Sequence, residues 1–350
     1  MTRTTCSNPI TTSVTATSQL HPTKIIIPDL VSHCTLKLRI NRHHKEAAKS
    51  SERWLFRHGN LNEERRTAFR GLKAGFLTSM CYPGAGYPQL QVCCDFMNLL
   101  FHLDDITDDL DHRGARSVRD EVMGCLVQPE TFRYSARVGK MTKDYWGRLT
   151  TTSAPGAERR FIETFDAFFL AVYQQAIDRK NGVVPDLESY IDLRRDTSGC
   201  RPCWALIEYA YNLDIPDEVM NHPLIQSLGD AANDLVTWSN DIFSYNVEQA
   251  RGDTHNMIVV VMREQGLSLQ ESIDFVGYMC QQSIDRFVED RAQLPSWGPA
   301  VDTALQIYVD GLADWIVGSL HWSFESTRYF GSNGGDVKLH RSLDLLPRKC

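Results

Sequence analysis

The 350-residue chain has no apolar run approaching the roughly eighteen residues that a bilayer-spanning helix needs. Its most apolar stretch, Phe161 to Tyr173, is interrupted by Glu163, Thr164 and Asp166. The first twenty residues, rich in Thr and Ser, lack the basic head and apolar core of a secretory signal. No Asn-x-Ser/Thr sequon occurs. The ten cysteines are scattered, two of them inside an apolar run as Cys93-Cys94. These absences point to a reducing, cytoplasmic compartment, with cysteine used as a small buried hydrophobe. An excess of positive charge is also missing: Lys and Arg number 37 against 44 Asp and Glu, a formal charge of −7. That balance disfavours nucleic acid, or an anionic membrane surface, as the main partner. There is no internal repeat and no low-complexity linker after residue 30. Strand-like alternation is scarce, which excludes an all-β architecture.

What remains is helical periodicity. Apolar residues recur at helical spacing over roughly 46–58, 62–79, 88–111, 131–150, 157–179, 186–211, 223–250, 255–264, 268–291 and 300–329. Breakers separate them at Pro83-Gly84, Pro155-Gly156, Pro185, Pro216, Gly252, Gly266, Pro295 and Gly298-Pro299. The expected fold is all-α, a single-domain helical bundle around a buried interior. Residues 1–22 read as a flexible tail, 23–335 as the domain and 336–350 as a C-terminal tail.

The first chemical signal is Phe101-His-Leu-Asp-Asp-Ile-Thr-Asp-Asp-Leu-Asp111. On a helix Asp104 and Asp108 lie one turn apart on one face, and Asp105 and Asp109 repeat the spacing one residue round. Like charges so placed repel, so helix stability gives no reason for them. The upstream residues are mostly apolar, which sets the carboxylates at the outer end of a buried helix. Mg²⁺ takes carboxylate oxygens and keeps open positions for a phosphorylated ligand. A solvated acidic helix end fits this segment alone equally well. An EF-hand does not fit, because no Gly stands at the sixth loop position.

The second signal is Asn240-Asp-Ile-Phe-Ser244-Tyr-Asn-Val-Glu248. Asn240, Ser244 and Glu248 stand at i, i+4 and i+8, drifting by only about 40° per step around a helix. They offer an amide oxygen, a hydroxyl and a carboxylate on one face of an otherwise apolar segment, an all-oxygen set suited to magnesium. The plain alternative is a helix with a capping Asn and an exposed Glu. Two metal sites imply a highly anionic ligand such as diphosphate, and arginines to hold it. Candidates are Arg194-Arg195, ahead of a glycine at 199 that can interrupt a helix, and Arg328 followed by Tyr329 near the end of the last long helix. Simple surface charge is the alternative for each.

Taken together these residues resemble class I terpene synthases, specifically fungal sesquiterpene synthases of the basidiomycete kind. Asp104-Asp-Ile-Thr-Asp108 resembles the family's aspartate-rich motif, and Asn240, Ser244 and Glu248 its NSE motif. Arg195 matches the diphosphate-sensing arginine, with Ser198 and Gly199 at the linker and effector positions; Arg194 is the less favoured claimant. Some relatives have an acidic residue where Ser198 stands. Arg328-Tyr329 resembles the terminal RY pair, and Gly252-Asp-Thr-His-Asn256 also resembles the family. The similarity runs from about residue 85 to 330. It implies one α domain with a deep apolar pocket, three Mg²⁺ ions, farnesyl diphosphate as substrate and inorganic diphosphate as leaving group. Asp104, with Asp108 as its carboxylate assistant, is expected to bind metal on one side of the pocket, Asp105 is a catalytic candidate beside them, and the NSE trio is expected on the other side. A homodimer is compatible with this reading. A chain-elongating prenyltransferase is disfavoured, since that group typically has two aspartate-rich motifs. A non-catalytic helical scaffold would leave the polar stripes unexplained.

Overall fold

A computed structural model describes residues 24–108 and 110–348, the side chain of Asp108 excepted. The N-terminal tail expected over 1–22 and the carboxylates of Asp108 and Asp109 therefore lie outside the described residues. The elements run β1 (Lys24–Ile26), α1 (Leu30–His33), α2 (His44–His58), α3 (Glu63–Leu72), α4 (Ala74–Cys81), α5 (Tyr87–Asp108), α6 (His112–Val127), α7 (Arg137–Leu149) and α8 (Pro155–Asn181). They continue α9 (Leu187–Thr197), α10 (Cys200–Tyr211), α11 (Asp217–Met220), α12 (Pro223–Arg251), α13 (Met257–Gln265), α14 (Leu269–Ala292), α15 (Pro299–Glu325), α16 (Gly334–His340) and β2 (Ser342–Asp344). Among the described residues the bundle is helical apart from two three-residue strands paired antiparallel. No described helix is long and apolar enough to cross a membrane.

Local chemistry explains the helix ends. Asp186 accepts from the Ser189 amide, Asn256 from that of Ile258, and Ser268 forms a capping box with Glu271. Pro155, Pro223 and Pro299 open their helices, where a missing N–H costs nothing. The core sits between the long helices. Phe96 of α5 meets Phe161 and Phe165 of α8 with ring centroids 5.0 and 5.3 Å apart. Each such buried ring stabilises the fold by roughly 1.5–3 kcal/mol, and together they anchor α5 beneath its acidic end.

Five stretches differ from the sequence expectation. The helix expected over 62–79 is broken at Lys73, whose φ of +55° separates α3 from α4. A helix covers 112–127, where none was expected; its N-terminal part is rich in Arg, Asp and Glu, and only Ala115, Val122, Cys125 and Leu126 are buried. The helix expected from 131 begins at Arg137, because Glu121 takes the Ser135 and Ala136 amides. The last long helix ends at Glu325, not 329: the Thr327 amide donates to the Gly71 carbonyl at 2.9 Å and pulls the chain out. The stretch after Gly331, expected as frayed chain, forms α16 and β2. There Asn246 accepts from the Leu346 amide at 2.7 Å.

One buried pair gives the fold a pH signature. Asp314 of α15 is buried and accepts from Arg39 at 3.1 and 2.6 Å. Burial pushes its carboxyl up from 3.8 to about 6, while Arg39 pulls the other way. The unfolded chain loses this proton near 4 and the folded chain only near 6. Stability from this group is therefore present below about pH 4 and declines as pH rises towards 6, by roughly 2–3 kcal/mol in all. Urea unfolding of wild type and Asp314→Asn at pH 4.5 and 7 should show the stability gap changing between the two pH values. A pH-independent gap would refute this.

Candidate active site

A cavity opens at one end of the bundle between α5, α8, α9, α10, α12 and α15. Its deep wall is apolar: Met97, Leu100, Phe168, Val172 and Trp315 line it. Its mouth is polar, and two sides face each other there. Asp104, in the last turn of α5, lies beyond Leu100 and Phe101 on the cavity face. Its Oδ2 accepts from Arg328 Nη2 at 3.3 Å, and the Arg328 guanidinium sits 5.3 Å from the Phe101 ring centre. Burial opposes the Arg328 charge, but Tyr329, Asp104 and Asp105 hold it well above its usual range. Asp105 itself is partly buried and does not line the cavity.

On the opposite side α12 presents Asn240 and Glu248 to the cavity. Asn240 Oδ1 accepts from Arg194 Nη2 at 3.0 Å, and its Nδ2 donates to Tyr329 Oη at 2.5 Å. Glu248 Oε2 accepts from Asn256 Nδ2 at 2.9 Å. Burial, then the Asp241 charge, push the Glu248 carboxyl up to about 7. Ser244 lies between them in sequence, is buried and does not line the cavity; its hydroxyl lies close enough to Glu248 to favour that carboxylate's charge. No three described His, Cys, Asp or Glu side chains are grouped to hold an ion by themselves. The donor set still fits magnesium. It offers oxygens only, divided across a mouth, and the buried Glu248 carboxylate makes no ion pair among the described residues. Mg²⁺ commonly takes one or two carboxylates and completes its shell with waters and substrate phosphates.

The two adjacent arginines part company. Arg194 lines the cavity; Arg195 does not. Arg195 is turned outward, donating to buried Asp234 at 2.7 and 2.9 Å, which also accepts from Arg286 at 2.7 Å. The structure thus brings Arg194, the less favoured claimant, to the cavity and leaves Arg195 outside it. A sequence signal for this exists: Leu187, Tyr190, Arg194 and Thr197 share one helical face, and Tyr190 marks it as the buried one.

The break between α9 and α10 falls where expected. Ser198, the C-cap of α9, donates from Oγ to the Arg195 carbonyl at 2.9 Å and accepts there from the Cys200 amide at 3.0 Å, bridging the two helices. Gly199 adopts φ +66°, and a side chain there would press on Leu100 at 3.0 Å. Both residues line the cavity. Cys200 and Cys203 are buried thiols. Sequence reasoning did not assign Asp241, Tyr190, Asn256 or His255 to the site. His255 packs against Tyr190 with ring centroids 5.0 Å apart and the planes tilted by 50°, its Nε2 is unpartnered, and burial with nearby Arg194 and Arg179 lowers its pKa to about 3.

Residues 95–286 match the family described as Terpene synthase family 2, C-terminal metal binding. Sesquiterpene synthase 2 of Postia placenta is 66% identical over 341 residues, covering 97% of this chain and 100% of the relative. Sesquiterpene synthase Agr1 of Cyclocybe aegerita is 65% identical, covering 93% of this chain and 94% of its own. The crystal structure of germacradien-4-ol synthase from Streptomyces citricolor shares the fold with a TM-score of 0.73 at 28% identity, over 83% of this chain and 96% of that one. An apolar cavity with acidic, amide and guanidinium groups facing across its mouth thus coincides with close identity along nearly the whole sequence, and the chain belongs to the fungal class I sesquiterpene synthases.

Proposed function

We propose that the cavity ionises farnesyl diphosphate and cyclises the cation to a sesquiterpene, releasing inorganic diphosphate. The observation that carries this is the facing of Asp104 and Arg328 against Arg194, Asn240 and Glu248 over an apolar interior. Asp104, with Asp108 as assistant, would hold magnesium on one side, and Asn240, Ser244 and Glu248 on the other, three ions in all. Bound magnesium supplies positive charge for the departing diphosphate. Arg194, Arg328 and Tyr329 donate hydrogen bonds to that leaving group as its charge develops. Phe168, Trp315 and the aliphatic wall keep water from the cation, and the ring faces stabilise positive charge without attacking it. The eight described cysteines are all buried thiols, which supports a cytoplasmic location. Mass spectrometry after incubating pure protein with farnesyl diphosphate and Mg²⁺ should show a fifteen-carbon terpene and free diphosphate. Longer prenyl diphosphates, formed when isopentenyl diphosphate is added, would overturn the cyclase reading.

In the free protein the anion donors and the metal ligands occupy one another. Arg328 is spent on Asp104, and the Asn240 amide oxygen is taken by Arg194 Nη2, while Tyr329 Oη only accepts from the Asn240 amide. Freeing one set leaves the other unpaired unless both ligands arrive together. Mg²⁺ and diphosphate together should therefore raise the melting temperature far more than the sum of either alone. The stabilisation should reach about 2.7 kcal/mol at a hundredfold excess over Kd. An equal rise with Mg²⁺ alone would contradict this pairing.

A further inference from the structure

Asp241 follows Asn240 on α12 and is turned by one helical step from the NSE face towards α9. It is buried at 2% exposure, among the most enclosed carboxylates in the fold. Oδ2 accepts from Tyr190 Oη at 2.6 Å and from the Met257 amide at 3.1 Å. Oδ1 accepts from Arg194 Nε at 3.2 Å and Nη2 at 3.0 Å. The Asp241 carbonyl accepts from Asn256 Nδ2 at 2.7 Å, and that same nitrogen reaches Glu248. One residue thus ties α9, α12 and the start of α13 around the cavity mouth.

The consequence lies in the Arg194 fork. Two of its three nitrogens, Nε and Nη2, are spent on Asp241 and Asn240. Nη1 makes no hydrogen bond to a described residue, and the side chain lines the cavity. A guanidinium clamped along one edge can turn only its remaining edge to a ligand, so its orientation costs no entropy when the ligand arrives. Without the carboxylate, Arg194 would be a buried cation with an amide and a phenol for company. It would seek other partners, with Glu248 the nearest acid behind Asn256.

We propose that Asp241 is the positioning residue of the diphosphate site, orienting Arg194 through a buried carboxylate that Tyr190 and the Met257 amide hold in place. The inference rests on the reading of this cavity as a diphosphate site. It assigns Asp241 no contact with metal or substrate; it acts through Arg194.

The test is calorimetric titration of the full-length protein with inorganic diphosphate in the presence of Mg²⁺, with circular dichroism for folding and steady-state kinetics in parallel. Asp241→Asn keeps the volume and removes the charge. It is expected to weaken diphosphate binding and lower kcat/KM by about 10- to 100-fold in the Arg194 protein. In an Arg194→Lys background, which has no fork to orient, the same change is expected to add less than about threefold. Equal losses in both backgrounds would make Asp241 a merely structural residue and overturn the proposal, as would unchanged diphosphate affinity. If Asp241→Asn does not fold, Tyr190→Phe carries the test through the same two backgrounds, with about a two- to tenfold loss confined to the Arg194 protein. Wild-type protein that binds no Mg²⁺–diphosphate would instead refute the diphosphate reading, and this inference with it.

Discussion

Glu248→Gln is expected to lower kcat/KM on farnesyl diphosphate by about three orders of magnitude, the equivalent of roughly 4 kcal/mol of transition-state stabilisation. The substitution keeps the shape and the hydrogen bond from Asn256, and it removes only the charge that a divalent cation requires. The fold should not suffer. Burial already disfavours the Glu248 charge in the free protein, holding its carboxyl near 7. A neutral amide at that place should leave the melting temperature unchanged or higher. The coupled rise in melting temperature with Mg²⁺ and diphosphate should shrink in the same variant. Product formation, calorimetry and circular dichroism on one preparation decide it. Near-native turnover at limiting Mg²⁺ would remove Glu248 from the metal site.

Arg194 and Arg195 should separate cleanly when each is replaced by lysine or alanine. Arg194→Lys keeps a positive charge at the mouth and loses the planar fork. The expected loss in kcat/KM is about thirty- to a thousandfold, from about 2–4 kcal/mol of charged hydrogen bonding that matters most in the transition state. Arg195→Ala should act on stability instead. It leaves fully buried Asp234 with Arg286 as its remaining short ion pair. That should cost about 1–3 kcal/mol of folding free energy, with kcat/KM changed only a few-fold. Urea unfolding and steady-state kinetics on both variants check this. A catalytic loss confined to the Arg195 variant would restore the register that the motif comparison favours.

The local parts of the site are legible in the chain because helical geometry needs nothing beyond a few neighbouring residues. Asn240, Ser244 and Glu248 were set on one face by their spacing alone, and α12 keeps Asn240 and Glu248 at the cavity. The break at Ser198-Gly199 followed from a glycine free to take positive φ, and it is where α9 gives way to α10. Asp104 could be placed at the outer end of a buried helix because the residues before it are apolar. The tertiary structure alone decided the rest. Two adjacent arginines differ by about 100° around a helix, so which one faces inward depends on what each side packs against. Asp241 and Tyr190 hold Arg194 at the cavity, while Asp234 holds Arg195 away from it. Asp241 and Asp234 lie some forty residues further along the chain. Arg328 and Tyr329 read as the end of a helix, but an amide two positions after its last residue finds a carbonyl at Gly71. That contact spans most of the sequence, and it turns the pair towards Asp104 and Asn240. Periodicity is written into neighbouring residues, whereas the orientation of a charged side chain is fixed by the partner that neutralises it, and folding alone brings that partner near.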